Sequence, residues 1–280
     1  MRLTAATVAI VVVLAIPVMM EAQQGRGSTS GSAPQTSSRT PELKTVLHNA
    51  ADALGMLRTE READLIATVR YWGTGTMMMA GQVFKVTNYA GSVNFHVPGM
   101  RIDITRTAPD GMSQRAVEVV SDKFAWNETQ PGINPTPAAG IANARLLQIW
   151  MLPQGVVKAA TAAGAAANVA AAGGVTTLTF PIASIGATLK ATIDDKNFIR
   201  EVEARMGTSV ITTTYSDYGD WNGADYLSDV MFPRHIVQKR DGATVLDLTI
   251  SKTNTYNPYV VMPVPENVEK AGSTAQAASR

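Results

Sequence analysis

The chain has 280 residues, 45% of them hydrophobic and 17% charged, enough to bury a core as one large domain or two small ones. Its formal net charge of +1 at pH 7 argues against a surface built to neutralise nucleic-acid phosphates. With no cysteine it has no disulfide framework, no thiolate metal site and no cysteine nucleophile.

Met1-Arg2 gives a short positive start, and Ala5 to Met20 is apolar apart from Thr7. Pro17 lies near the end of that run, and Met20-Glu21-Ala22 offers a small-residue exit before Gln23. This is the layout of a secretory signal over residues 1–22. The run is shorter than the ~20 residues that span a bilayer, which favours cleavage over a retained anchor and leaves no stable membrane insertion afterwards. Residues 23–40 are Gly, Ser, Thr, Gln and Pro with almost nothing apolar, as expected of a disordered spacer. A single β-rich domain is expected over 41–265, and a flexible tail over 266–280.

The domain opens with a helix. Thr40 suits its N-cap and Pro41 its first turn, Leu43, Val46, Leu47, Ala50, Ala53 and Leu54 share one face, and Gly55 closes it. His48 lies off that stripe and is expected in solvent. From Asp64 the period changes to two. Met100, Ile102 and Ile104 alternate with Arg101, Asp103 and Thr105, and Gln114–Val120 and Lys123–Asn127 form two arms joined at Ser121-Asp122.

A helical insert is expected over 141–172. Ala142, Leu146, Ile149 and Trp150 fall at helical spacing, and Pro153 starts an alanine-dominated run whose charge is almost only Lys158. A helix without a polar face is buried or covers an apolar surface. Strands resume at Val175–Pro181, Thr188–Ile193, Phe198–Met206, Ser209–Tyr218, Met231–Lys239 and Thr244–Lys252, with Asp241-Gly242 as a hairpin turn before the last. Short connections and no strand–helix–strand rhythm predict a mainly β (α+β) fold. The fold class expected is a curled antiparallel meander of roughly ten strands forming a half-open barrel. Its N-terminal helix and Ala-rich helical segment cover the concave face. Between sheet and helix, an expandable apolar cavity and an ordinary packed core fit the pattern equally. If the cavity exists, Trp126, Trp150, Val156 and Val157 are its candidate lining residues.

Chemistry is sparse. Three scattered histidines, His48, His96 and His235, do not supply a zinc site, and no G-x-S-x-G turn, P-loop or G-x-G-x-x-G occurs. Asp194-Asp195 and the group Asp217, Asp220, Asp225, Asp229 fit turn acids better than a calcium loop. Met77-Met78-Met79 fits a strand end better than a copper site. No catalytic residue, metal or cofactor is expected.

Several phrases read together carry a resemblance: Gly81-Gln82, FAWNE at Phe124–Glu128, RLLQIWMLPQGVVKAA at Arg145–Ala160, TTTYSDYGDW at Thr212–Trp221, and FPRHIVQKRDGATVLDLTISKTNTYNP at Phe232–Pro258. In this order they resemble the leading domain of exported bacterial proteins in which a metallo-β-lactamase-fold hydrolase follows. The resemblance implies a half-open barrel similar to the periplasmic lipoprotein carriers. The hydrolase's HxHxDH motif is absent, so no zinc activity is implied; the chain is expected to be a stand-alone version of the domain or a product cut short of its enzyme. The function expected is an exported, non-catalytic binding module, periplasmic or secreted, holding a lipid or other apolar small molecule. The alternatives are an accessory domain docking a partner hydrolase or envelope component, and an unrecognised hydrolase.

Overall fold

The computed structural model describes residues 41–58, 63–221, 230–255, 257 and 259–278. The signal and spacer read over 1–40, and Asp225 and Asp229 of the acidic loop, lie outside the described residues. Helix α1 (Leu43–Ala53) buries Val46, Ala50 and Ala51, and Gly55 ends it with φ +66°. Glu42 stands at its N-cap without a side-chain cap bond. Two short strands, β1 (Leu57–Arg58) and β2 (Ala63–Asp64), pair with each other.

The remaining strands form one antiparallel sheet of thirteen. Its first half runs outward as β3 (Thr68–Met79), β4 (Gln82–Asn94), β5 (Gly99–Thr107), β6 (Ser113–Ser121), β7 (Phe124–Glu128) and β8 (Thr136–Pro137). The chain then crosses through helices α2 (Ala142–Met151) and α3 (Pro153–Ala163) to the opposite edge. From there it returns inward as β9 (Asn168–Ala172), β10 (Val175–Ile182), β11 (Ala187–Ile193), β12 (Ile199–Met206), β13 (Ser209–Asp220), β14 (Met231–Arg240) and β15 (Ala243–Asn254). β15 pairs with β3 in the middle of the sheet, so two meanders meet there.

The sheet is curled and open. Helix α2 lies against β5, β6 and β7 on one side and against β12 on the other. β5 and β12 stand six places apart in the strand order, ~29 Å on a flat sheet at ~4.8 Å per strand. A helix is only ~10 Å wide, so the sheet must wrap round it to make both contacts. Two glycines sharpen the bend. A Cβ on Gly75 would sit 1.9 Å from the Asp247 carbonyl oxygen, and one on Gly73 2.6 Å from that of Thr249.

Alternation divides the sheet's side chains between two faces. The concave face carries Tyr71, Tyr89, Ile102, Ile104, Phe180 and Leu189 in the main core with the helices. Arg145 anchors α2 there, donating to the carbonyls of Val119 (2.9 Å) and Trp126 (2.7 Å). Burial pushes its guanidinium pKa down, opposed by Glu118 at 3.6 Å. The α2–α3 junction is held by Tyr215 Oη donating to Met151 O (2.7 Å) and Gln154 Nε2 donating to Met231 O (3.0 Å). On the convex face a second cluster gathers Val117, Val119 and Trp126 under Val260, Met262 and Val268.

Three sequence expectations need correction. The tail read as flexible over 266–280 contains helix α4 (Glu266–Ala278), because Val268 joins the convex cluster and Asn267 Nδ2 donates to Pro135 O (2.7 Å). The helical insert ends at Ala163 rather than Ala172. Gly164 adopts φ +52°, and pairing of Asn168–Ala172 with β10 outweighs alanine's helix propensity. Strand β4 was not expected, since a bulge between Val86 and Asn88 breaks its two-residue period.

Gly75→Ala should lower stability by about 2 kcal/mol or more in urea unfolding, since the methyl would meet backbone. Gly140→Ala, whose Cβ meets nothing within 4 Å, should stay near neutral.

Candidate functional site

Helix α3 is where the concave core meets the surface. Pro153 pre-sets its first turn, and Gly155 lets it cross α2 closely; a Cβ there would stand 2.2 Å from Ile149 O. Val156 and Ala160 face the core, while Lys158, Ala159, Ala162 and Ala163 run along the flank that opens outward. Alanines on this flank leave space that longer side chains would fill.

Two clefts use that space. One, of about 520 Å³, lies between α3 and the end of β10, walled by Phe95, Trp150, Ala159, Ala162, Ala163 and Ile182. The other, of about 750 Å³, lies between α3 and α1, walled by Leu43, Leu47, Leu57 and Val157. Its polar rim is Lys44, His48, His96, Asp64 and Lys158. Lys158 and Ala162 line both clefts. The Lys158 ammonium pairs with Asp64 and lies 5.5 Å from the centre of the Phe95 ring.

The four candidate lining residues separate. Trp150 lines the smaller cleft and Val157 the larger. Val156 is fully buried in the main core and reaches neither. Trp126 is on the other face of the sheet, because Ala125 pairs with Val120 on the concave side and the next residue must point away. Its indole donates to Glu128 Oε1 (2.8 Å). Burial alone would raise the Glu128 carboxyl pKa; the Gly132 N–H (2.7 Å), Arg101 (3.1 and 3.2 Å) and Trp126 outweigh it and hold the group below the usual range. The sequence did not single out Lys158–Asp64, because the partners are 94 residues apart.

Elsewhere, polar groupings have structural partners. Asp194 accepts from the N–H groups of Lys196 and Phe198 and pairs with Arg200 (2.7 Å), as a turn acid does. Met77, Met78 and Met79 end β3. Ser216 stands opposite His235 on β13 and β14, and His235 Nε2 bonds Asp247 Oδ1 (2.8 Å). The Ser216 hydroxyl, however, donates to Asp217 (3.2 Å), so the trio is not wired as a nucleophile and base. Tyr71, its pKa pushed up to about 12 by burial, is a core phenol beside Tyr89 and Phe232. Among the described residues no three His, Asp or Glu side chains converge as metal ligands, and no helix is long and apolar enough to cross a membrane.

No family model matches the sequence, and no curated protein matches it. Among solved structures, a DUF1329 family protein from Desulfovibrio piger aligns over 77% of this chain and 94% of its own, with a TM-score of 0.45 and 6% identity.

Glu128→Gln should cost about 1–3 kcal/mol at pH 7 in chemical unfolding, through the lost charge-assisted bonds. Because the folded pKa is depressed, the wild-type advantage is present above the unfolded carboxyl value. It should fade as pH falls through the folded one.

Proposed function

We propose that the chain is a non-catalytic binding module that takes the hydrocarbon part of a lipid-like or other apolar molecule along helix α3. The observation that carries this is the pair of clefts of about 520 and 750 Å³ on either flank of one alanine-lined helix. Each lies within the range of small-molecule sites, and their walls are mainly apolar with few polar groups at the rim. Small side chains also suit a ligand of variable length, since they leave no fixed shape to match. The apolar leader read over residues 1–22 supports a periplasmic or secreted setting. So does the resemblance to leading domains of exported metallo-β-lactamase-fold proteins.

A second reading, an accessory domain docking a separate hydrolase or an envelope component, is favoured by the convex face. There Tyr259 and Val261 are 86% and 59% exposed. They stand at the mouth of a cleft of about 360 Å³ that also holds Arg70 and Arg101.

N-phenyl-1-naphthylamine, a neutral apolar dye, should bind the full chain with enhanced emission. Ala162→Trp fills the exposed ridge between the clefts and should weaken that binding at least tenfold, about 1.4 kcal/mol, without changing the melting temperature. An organic extract of the chain purified from a periplasmic fraction should contain a stoichiometric apolar molecule by mass spectrometry. An empty extract together with absence of dye binding would move the assignment to the docking reading.

A further inference from the structure

We infer that the ligand of the α3 clefts is a single-chain amphiphile with an anionic head group, which Lys158 receives in exchange for Asp64. This rests on the binding reading above and adds the chemical class of the ligand.

Among the described residues, Lys158 is the one charged side chain in the smaller cleft, whose other lining groups are aromatic, aliphatic or small. Its side chain is only 14% exposed, against 34% for its partner Asp64. Most of its stem is therefore packed away, while the ammonium, in an exposed pair with Asp64, sits at the boundary of both clefts. A hydrocarbon chain laid along Trp150 and Ala163 would take water away from that ammonium. A cation in such surroundings needs a counter-charge or hydrogen-bond acceptors.

The acceptor now in place is the replaceable kind. Asp64 belongs to the two-residue strand β2, whose pairing partner is the two-residue β1. It is also the more solvated member of the pair, and its other oxygen accepts from Ile66 N–H (3.0 Å). Releasing Lys158 would return the Asp64 carboxylate toward water while that backbone bond remains. The rim of the larger cleft adds Lys44, His48 and His96, and among the described residues lining either cleft Asp64 is the one carboxylate. Among the described lining residues Lys158 and Asp64 balance, and Lys44 adds one positive charge. An anionic head at Lys158 gains from this field, a cationic head is repelled by it, and a neutral head leaves the ammonium's demand to Asp64.

The test is displacement of N-phenyl-1-naphthylamine from the full chain by dodecanoate, dodecyl phosphate, dodecanol and dodecyltrimethylammonium, each below its micellar concentration. The anions should displace the dye at concentrations at least tenfold lower than the alcohol, and the cation should be weakest. Lys158→Met should abolish the anion advantage while dodecanol still competes, which shows a folded site; Lys158→Arg should keep it. Asp64→Asn should widen it several-fold, because the competing carboxylate is gone. A stronger effect of dodecyl phosphate than dodecanoate would assign the head group as a phosphate, the reverse as a carboxylate. Equal displacement by acid and alcohol, or an anion advantage that survives Lys158→Met, overturns the inference and leaves the binding reading standing. Failure of the dye and of every amphiphile to bind overturns that reading and this inference with it.

Discussion

The constraint on which the architecture depends is the edge-to-edge crossing in the middle of the chain. After β8 the chain stands at one edge of a thirteen-stranded sheet and must begin β9 at the other. Twelve strand spacings amount to ~58 Å on a flat sheet, whereas the 10 residues of α2 and 11 of α3 extend only ~32 Å end to end. A curled sheet brings the edges toward each other and gives both helices a concave surface to bury against. The tight approach of β3 to β15, possible only with glycine at 73 and 75, is part of the same adjustment.

This crossing also explains why the clefts lie where they do. Helix α2 is committed to the sheet by Arg145, whose Nη1 donates to two strand carbonyls and Nη2 to Asn127, and by its buried Leu146, Leu147 and Ile149. Helix α3 follows after a turn fixed by Tyr215 and Gln154 and is buried all round from Pro153 to Val157; beyond that only one flank stays in the core. Its other flank reaches the space left by α1 and the end of β10, where alanine fills little. The convex face works differently, since a strap and α4 close it over Trp126 and a hydrogen-bonded Glu128.

Much of the fold was legible because local chemistry sets it. Asp241 and Gly242 both adopt positive φ, 49° and 85°, as their hairpin turn requires, and Gly55 closes α1. The alternation of Met100, Ile102 and Ile104 put those side chains on the buried face of β5. What escaped was non-local. One bulge hid β4, the pairing offered by β10 turned alanines of β9 from helix to strand, and α4 finds its apolar partners in a cluster of β6, β7 and the preceding Val260 and Met262. The same division holds at the site. Trp150 and Val157 were legible from helical spacing, whereas the face taken by Trp126 depends on pairing parity, and Lys158 meets an aspartate from a distant segment.

The meeting of β3 with β15 has a kinetic meaning. Nearly every other strand pair is a hairpin or short meander with local contacts, but Met77 and Leu246 are joined across most of the domain. Loop-closure entropy makes such a pairing the costly one, and topologies with contacts of high sequence separation fold slowly. Each meander can gather its own neighbours early, yet the sheet is not continuous until the last long strand arrives. A chain emerging from its N-terminus therefore stays incomplete until nearly all of it has been delivered, and its two halves share one late, common closing step.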